Sequence, residues 1–238
     1  MGNLFYAPGD DRAAKVGDLF ASIARRYDLL NDLQSFGVHR LWKRRVVELA
    51  RLKNGDRALD LCCGTGDIAL ALAKHGAETI GLDFSPNMLE VARARQISTP
   101  KSQNLKFIQG DAMSLPFPDN SFDAVTVGYG LRNLSSWEHG LTEMVRVAKP
   151  GGRIVVLDFG KPANGLWRKI YFAHLRCSVP LIGLLFCGNA QAYAYILESL
   201  KHYPAQQGVR EKMREWKLAN TAVINFFGGA MAINFGQK

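Results

Sequence analysis

One stretch, LDLCCGTGD at residues 59–67, constrains the fold more than any other part of the chain. The apolar run at 58–63 predicts a strand, Gly64-Thr65-Gly66 predicts a tight turn, and apolar periodicity up to about Lys74 predicts a helix. Glycines at such a corner let the backbone turn tightly, and the N–H groups of a helix N-terminus point toward a ligand there. The stretch therefore predicts a strand–turn–helix unit with a ligand site at its corner.

The charge of this corner indicates which ligand it takes. The turn fits the loose dinucleotide pattern G-x-G-x-x-A, so a dinucleotide is the first candidate. Asp67, however, stands where a dinucleotide would place its pyrophosphate, and Asp60 lies on the preceding strand. Two carboxylates repel a diphosphate and favour a ligand that carries an ammonium and a sulfonium, such as S-adenosylmethionine. Asp83 ends the next predicted strand, near the ~20-residue offset at which an acid binds ribose hydroxyls.

Predicted strands and helices alternate through the middle of the chain, which indicates a parallel sheet with right-handed crossovers. The predicted strands are 58–63, 79–83, 105–109, 122–127 and 153–159. Ser85 is a good N-cap and Pro86 suits the first helical position that follows it. Near the C-terminus, 221–227 and 230–235 predict a closing hairpin around Gly228-Gly229.

Polar residues and glycines recur where these predicted strands end. Ligands of parallel sheets bind beyond the carboxyl ends of the strands. The residues at those ends are Asp60, Gly64, Asp83, Asp111, Gly128, Arg132 and Asp158. Their coincidence is the main sequence evidence for a binding site.

Length and hydropathy suggest one large domain with helical additions. Among 238 residues, 1–53 are expected to form an N-terminal helical arm or lid, and 54–238 the main domain with a helical insertion at about 162–205. The arm includes a predicted helix from Ala13 and a basic one at 39–52. The apolar run 178–187 is too short to span a bilayer, and a lid and plain core fit it equally.

Composition bounds the partners and the compartment. The formal net charge of +9 favours an anionic partner, which leaves nucleic acid, a membrane face and an acidic substrate open. Four cysteines without a C-x-x-C pair indicate reduced thiols in a cytoplasmic protein. Cys62 and Cys63 are expected in one strand, on opposite faces. No secretory signal pattern or apolar run of membrane-spanning length is visible.

With these residues assembled, the chain resembles class I S-adenosylmethionine-dependent methyltransferases, and more narrowly the ubiquinone/menaquinone biosynthesis C-methyltransferase family. The narrower resemblance covers roughly 20–161 strongly and the remainder weakly. It rests on RYDLLN at 26–31, SFGVHRLWK at 35–43, LPFPDNSFD at 115–123, YGLRN at 129–133 and KPGG at 149–152. The resemblance implies an α/β, Rossmann-like, seven-stranded and mostly parallel sheet with helices on both faces and a C-terminal antiparallel hairpin.

The resemblance also implies a cofactor site for S-adenosylmethionine, without a metal. Asp83 is expected at the ribose, and Asp111 and Ala112 at the adenine, because a carboxylate can accept hydroxyl and amino protons while a backbone N–H can donate to a ring nitrogen. The expected cofactor-binding residues are Asp60, Gly64, Thr65, Gly66, Asp83, Met88, Asp111, Ala112 and Gly128.

The implied reaction is methyl transfer to a ring carbon of a polyprenylated quinol, with demethylmenaquinol preferred over a benzoquinol and with another lipid or RNA as the alternative acceptor. The expected catalytic residues are Arg132, Asn133, Tyr27 and Asp28, and the expected substrate contacts are Asn31 and His39. Arg132 would stabilise a forming phenolate. Asp28 is a possible base, and His39 has a suitable unperturbed pKa, although a lone histidine at a helix start is more often a cap or a surface residue. Contact with the inner face of a membrane, a homodimer and a quinone-biosynthesis complex are further expectations.

Overall fold

A seven-stranded sheet forms the centre of the computed structural model, which describes residues 27–100, 102–187 and 191–238. The strand order is β3-β2-β1-β4-β5-β7-β6, with β1 to β5 mutually parallel and β7 antiparallel to both β5 and β6. The strands are β1 Arg57–Leu61, β2 Glu78–Asp83, β3 Leu105–Gln109, β4 Phe122–Gly128, β5 Ala148–Phe159, β6 Ala219–Phe226 and β7 Met231–Gln237. The predicted fold class, including the antiparallel hairpin, is confirmed.

Helices cover both faces of this sheet. The α-helices are α1 Tyr27–Ser35, α2 His39–Ala50, α3 Asp67–Lys74, α4 Pro86–Ile97, α5 Trp137–Val147, α6 Gly165–Cys187, α7 Gln191–His202 and α8 Ala205–Glu215. Short 3-10 turns occupy Leu131–Asn133 and Phe227–Gly229. Because helices cover both faces, the central strands are apolar runs and not alternating ones, as in β4, where residues 124–127 are all buried.

The core has separate clusters on the two sides of the sheet. On one side, Trp42 and Val46 of α2 pack with Ile68 and Leu72 of α3 against the central strands. On the other side, the buried cluster includes side chains of α5, α7 and α8, among them Leu141, Leu200 and Val209. Helix α2 is therefore part of the sheet's own core. The proposed division into an arm at 1–53 and a domain at 54–238 stays a prediction.

The break between α1 and α2 lies at the predicted position. Phe36 and Gly37 both have left-handed backbone conformations, with φ of 51° and 76°. A left-handed pair cannot continue a right-handed helix, so the chain turns and begins α2 at His39. The predicted helix from Ala13, which included Tyr27 and Leu30, lies outside the described residues as far as residue 26, and from Tyr27 onward the chain is helical in α1.

Several predicted boundaries are wrong. Strand β1 ends at Leu61, because Cys62 has φ of 51°, so Cys62 and Cys63 lie in the turn and not on opposite faces of a strand. Strand β5 begins at Ala148, which pairs with Phe122 before a register shift, and not at Arg153. The predicted helix at 209–218 begins earlier, at Ala205.

The helical region between β5 and α8 consists of α6 and α7. Helix α6 continues through Pro180 to Cys187. The side chains of 181–187 lie outside the described part, so the choice between lid and core for 178–187 stays open. Within the described ranges, no helix is long and apolar enough to cross a membrane.

Candidate active site

The carboxyl ends of β1, β2, β3 and β4 surround a pocket of about 130 Å³, which we call the strand-end pocket. It forms at this edge because parallel strands place their carboxyl ends, and the loops that follow them, side by side. Of the residues expected to bind cofactor, those in its wall are Gly64, Asp83, Met88, Asp111, Ala112 and Gly128. Asn133, expected to be catalytic, also lies in this wall.

Asp83 is fixed by backbone donors at the end of β2. Its Oδ2 accepts the Gly64 N–H at 2.7 Å and its Oδ1 accepts the Ser85 N–H at 2.9 Å. Burial raises the pKa of the Asp83 carboxyl, and these backbone bonds oppose that rise. The carboxylate is therefore held rigidly, with lone pairs left for hydroxyl donors of a ligand.

Two glycines, Gly64 and Gly128, lie in this wall for different reasons. Gly64 has φ of 55°, and an added Cβ would meet no atom within 4 Å, so the turn itself leaves room for a ligand. At Gly128, an added Cβ would lie 2.7 Å from the terminal methyl Cδ1 of Ile68 in α3, so a side chain there would require this methyl group to move. Backbone conformation explains the first glycine, and packing explains the second.

The expectation that Asp60 and Asp67 together face a ligand cation is wrong for Asp67. The Asp67 carboxylate is bound by the ammonium of Lys43 and the guanidinium of Arg95, outside the strand-end pocket. These cations lower its pKa against the opposing effect of burial. Their charges neutralise the carboxylate that the sequence argument assigned to the ligand.

Asp60 is fully buried and also lies outside the pocket wall. It accepts the Ala69 N–H at 3.1 Å and bonds the Thr126 hydroxyl at 2.7 Å, which ties β1 to α3 and β4. Burial raises its pKa to about 7. The structure thus gives Asp60 a role in joining these elements, and its role in cofactor binding stays a prediction.

Thr65 and Gly66 lie in the turn but not in the pocket wall. The Thr65 hydroxyl donates to Asp28 Oδ1 at 2.8 Å, and Arg95 donates to both the Thr65 carbonyl and Asp28. Gly66 has φ of 85°, and an added Cβ would lie 2.7 Å from the Phe107 ring. The turn therefore connects to α1 through Thr65, and Asp28 of α1 is held there.

A second cavity, which we call the apolar cavity, adjoins the first at Tyr129, which lines both. Its volume of about 460 Å³ is several times that of the strand-end pocket. Its walls come from α1, α2, α6, α7 and the segments near Tyr129, Phe159 and Phe227. The large apolar side chains in these walls include Trp42, Phe159, Trp167, Ile170, Leu175, Ile196 and Met231.

Arg132 reaches this apolar cavity as half of a buried ion pair. Its guanidinium donates to Asp158 Oδ1 at 2.8 Å, and both side chains are at most 4% exposed. The guanidinium carbon also lies 4.7 Å from the centre of the Phe159 ring, a cation–π contact. Burial raises the pKa of Asp158, and the charge of Arg132 opposes this rise. Asp158 therefore offsets the positive charge that Arg132 brings to the cavity.

The polar side chains of α1 and α2 in this mostly apolar wall include Asn31, Gln34 and His39. Each has a buried nitrogen without a hydrogen-bond partner among the described residues, namely Asn31 Nδ2, Gln34 Nε2 and His39 Nδ1. Buried polar atoms without a partner are costly, so their presence in one cavity indicates a polar ligand group there. The side chain of Tyr27 lies outside the described part of the chain.

Comparison with known proteins gives the family. The model of the ubiE/COQ5 methyltransferase family matches residues 9–238. The chain belongs to this family. It is 43% identical over 233 residues to the demethylmenaquinone methyltransferase of Desulfitobacterium hafniense, a match that covers 97% of this chain and 92% of that protein. It is 40% identical over 234 residues to the ubiquinone/menaquinone biosynthesis C-methyltransferase UbiE of Azotobacter vinelandii, with the same coverage of both chains.

Solved structures share the fold at lower identity. The Haloferax volcanii methyltransferase solved with its Trm112 activator aligns with a TM-score of 0.64 and 19% identity, over 92% of this chain and 98% of that one. A SAM-dependent methyltransferase from Aquifex aeolicus aligns with a TM-score of 0.59 and 16% identity, over 82% and 88% of the two chains. Family membership and shared fold confirm the predicted family, enzyme class and methyl donor.

The methyl donor of this family fits the strand-end pocket. Asp83 offers rigid acceptors for ribose hydroxyls, and Gly64 leaves open space beside it. Asn133 Oδ1 is buried without a partner among the described residues, so it offers a further acceptor for the donor's amino groups. Among the residues that the structure describes, no group of three or more His, Cys, Asp or Glu side chains could hold a metal ion.

Sequence reasoning missed several residues of the apolar cavity. Gln34 lies one turn after Asn31 on the same face of α1, and that helical spacing was the available signal. Asp158 was noted only as a strand end, and nothing local showed its pairing with Arg132. Tyr129, which separates the two sites, precedes the glycine of the YGLRN motif and has φ of 62°.

Proposed function

We propose that this member of the ubiE/COQ5 methyltransferase family transfers a methyl group from S-adenosylmethionine to a ring carbon of a polyprenylated quinol, with demethylmenaquinol as the preferred acceptor. The observation that carries the proposal is the apolar cavity, which adjoins the strand-end pocket at Tyr129 and contains a small polar cluster. The names of two relatives contain the word menaquinone or demethylmenaquinone, which supports the choice of acceptor.

The strand-end pocket supports the cofactor half of the reaction. We assign Asp83 to the ribose, Asp111 and Ala112 to the adenine, and Gly64 to the close approach of the cofactor. Asp111 Oδ1 already accepts the Met113 N–H at 2.8 Å, which orients the carboxylate and leaves its other oxygen for the adenine amino group. When bound, S-adenosylmethionine supplies an electrophilic methyl group on its sulfonium.

The apolar cavity supports the acceptor half. An aromatic ring that carries a prenyl tail needs a largely apolar wall for burial and a few polar atoms for its hydroxyls. Trp42, Phe159 and Trp167 provide aromatic surface, and Asn31 and Gln34 provide amide donors. A nucleic-acid acceptor would favour a groove lined with basic side chains that follow a phosphate backbone, whereas this wall is mostly apolar and its Arg132 is paired with Asp158.

The polar residues near Tyr129 have separate tasks in this proposal. Arg132 and Asp158 fix the corner between the two sites, since the guanidinium donates to both Asp158 and the Tyr129 carbonyl. Asn133 donates to the same carbonyl at 3.1 Å from the strand-end side. The corner thereby holds the ring beside the methyl group and excludes water, which supplies part of the rate.

The decisive experiment incubates the purified chain with methyl-labelled S-adenosylmethionine and a reduced quinol carrying a short prenyl tail. Demethylmenaquinol, a 2-polyprenylbenzoquinol, total RNA and a lipid extract from a methylation-deficient strain are tested in parallel. We expect a labelled naphthoquinone, heavier by one methylene and methylated on ring carbon by mass fragmentation. Label in RNA or in another lipid, with none in either quinol, would contradict the proposal.

We further propose that the rim of the apolar cavity contacts an anionic membrane surface, from which the quinol enters. Phe36, Trp167, Ile170 and Phe227 line the cavity and are still 38% to 93% exposed. Arg168 and Lys169 of α6 are exposed beside them, and the whole chain carries +9. Apolar side chains with adjacent basic ones are the pattern of an interfacial surface. A homodimer or a biosynthetic complex stays a prediction.

Sedimentation with phosphatidylglycerol vesicles tests this contact. We expect Phe36→Ser combined with Phe227→Ser to weaken binding at least about tenfold, since burial of one large apolar side chain is worth roughly 1.5–3 kcal/mol. Ile97→Ser is the matched control, because Ile97 is 89% exposed but lines neither cavity. If the wild-type chain, the double variant and Ile97→Ser bound vesicles equally, the proposed membrane contact would be wrong.

A further inference from the structure

His39 lines the apolar cavity and is paired with an aspartate, Asp32, that lies outside the cavity wall. His39 begins α2, Asp32 lies on α1, and the left-handed turn at Phe36 and Gly37 brings the two together. His39 Nε2 lies 2.8 Å from Asp32 Oδ1, and the histidine is only 3% exposed. His39 is thus a buried side chain with a charged partner, and a role as a simple surface residue is excluded.

The partners of Asp32 fix the tautomer of His39. The Arg40 guanidinium also binds Asp32, with its Nε 2.9 Å from Oδ1, and it lowers the pKa of Asp32 to about 2 together with His39. An ionised carboxylate only accepts hydrogen bonds, so the proton of the neutral imidazole must lie on Nε2. The lone pair is then on Nδ1, the nitrogen that is buried without a partner among the described residues.

The surrounding charges keep this imidazole neutral near pH 7. Burial lowers its pKa from 6.5, and the Lys43 ammonium lowers it further. The carboxylates of Asp32 and Asp67 act in the opposite direction. The other titratable groups in the walls of the same cavity are Tyr129, Arg132, Tyr171 and His174. A neutral imidazole with a free lone pair in a cavity is a competent proton acceptor.

We propose that His39 is the general base of the methyl transfer and that Asp32 is its positioning residue, an assignment that rests on the proposed function. Asp28, the other candidate from the sequence, is held by Thr65 and Arg95 and lies outside the apolar-cavity wall. Only His39 therefore combines an available lone pair with a place in the wall where the quinol hydroxyl would bind.

The proposed step moves one proton to His39 and one methyl group to the ring. His39 Nδ1 takes the proton of the quinol hydroxyl, and the O–H electron pair moves into the ring. The ring carbon bonds to the methyl group, whose bond to sulfur breaks, and that pair cancels the sulfonium charge. The carbon then loses its hydrogen to water as a proton, and His39 returns its own proton to the ring oxygen. One methylated quinol, one thioether and one proton result.

The test compares turnover against pH for the wild-type chain and for His39→Gln and His39→Asn, with the reduced quinol as acceptor. Loss of a general base lowers kcat by about 10²- to 10⁴-fold. Wild-type kcat is expected to fall below a pKa under 6.5, whereas the variants lose this limb and rise only as the quinol itself ionises. Affinity for S-adenosylmethionine should stay within about threefold, since His39 does not line the strand-end pocket.

Asp32→Asn and His139→Gln complete the set. Asp32→Asn removes the charge that selects the tautomer, so kcat should fall about tenfold or more and its acid limb should move. His139→Gln is the matched control, since His139 is exposed on α5 and lines neither cavity. Side-chain ¹⁵N NMR of the five histidines provides a readout without turnover. It should show wild-type His39 protonated on Nε2, and this preference should be lost in Asp32→Asn.

Three results would overturn the assignment. Wild-type His39 could carry its proton on Nδ1, His39→Gln could retain kcat within threefold with an unchanged pH profile, or wild-type kcat could be flat between pH 5 and 8. The first and third need no variant, so they decide the matter even where a variant does not fold. If the wild-type chain did not methylate the quinol, the proposed function itself would be overturned. If the wild-type chain were active and His39→Gln had the same kcat, only the assignment of His39 as the base would be overturned.

Discussion

The two cavities of this methyltransferase are built in different ways. The strand-end pocket is formed by loops that directly follow β1, β2, β3 and β4, so its residues are set by where each strand stops. The apolar cavity is formed by side chains from α1, α2, α6, α7 and the turn near Phe227, which are far apart in the chain. The first is shaped by backbone geometry, and the second is shaped by tertiary packing.

The difference allows the acceptor site to change by substitution while the cofactor site is kept. Turn geometry such as that of Gly64 requires few residues and tolerates little change. An apolar wall made of many side chains can be reshaped one residue at a time, with small energetic consequences for the sheet. Tyr129 lines both cavities, and the contact between Thr65 and Asp28 connects the turn after β1 to α1.

The largest effect is expected where the apolar cavity depends on a buried charge. Arg132→Ala leaves the Asp158 carboxylate buried without its cation, which costs about 3–5 kcal/mol in the free energy of unfolding. Urea denaturation measures this loss. The folded fraction should still bind S-adenosylmethionine with near wild-type affinity by calorimetry, since Arg132 lies outside the strand-end pocket wall.

A double variant separates stability from chemistry at this corner. Arg132→Met with Asp158→Asn removes both charges and should recover most of the lost stability without recovering turnover. If the double variant were as unstable as the single one, the ion pair would not be the source of the loss. If it also regained full turnover, Arg132 would have no part in the reaction.

A smaller effect is expected in the strand-end pocket, and it should appear in binding. Asp83→Ala removes the acceptors for the ribose and the partner of the Gly64 N–H. Hydrogen bonds to charged groups are worth roughly 1.5–3 kcal/mol, so affinity for S-adenosylmethionine should fall about 10- to 100-fold. Asp123→Asn is the control, because Asp123 pairs with Lys149 and lies outside both cavities. Equal losses in both variants would contradict the assignment of Asp83.

The smallest effect is expected at the hydrogen bond between Thr65 and Asp28, which connects the turn after β1 to α1. Thr65→Val removes the hydroxyl that donates to Asp28, a bond worth about 1 kcal/mol, while it keeps the shape of the side chain. We expect faster hydrogen exchange in α1 and a several-fold lower kcat, with little change in affinity for S-adenosylmethionine. Thr65→Ser keeps the hydroxyl and should behave like wild type. Unchanged exchange in Thr65→Val would show that this contact does not hold α1 in place.

Part of the strand-end pocket wall could be predicted from the sequence. Six of the nine residues expected to bind cofactor line it. The point where a strand ends, such as the end of β2 at Asp83, can be recognised from the local sequence alone. The exceptions have physical reasons. Thr65 and Gly66 face α1 and β3, and Asp60 has its oxygens occupied within the core.

The charge of the glycine corner predicted the methyl donor but not the partners of its own carboxylates. It identified the methyl donor, yet Asp67 is neutralised by Lys43 and Arg95, which lie 24 and 28 positions away in sequence. Local sequence shows a charge but not its partner. For the same reason the sequence placed Asp28 among the catalytic residues and His39 among the substrate contacts, although only His39 lines the apolar cavity.

The sequence by itself determined the order of strands and helices, the glycine turn after β1 and the acid at the end of β2, because these depend on periodicity and on local backbone preference. The family followed from the same short motifs. Only the tertiary structure decided which charges meet, such as Arg132 with Asp158, and which polar atoms stay unpaired in an apolar wall. Those outcomes depend on contacts between distant parts of the chain, and burial, which sets their strength, exists only after folding.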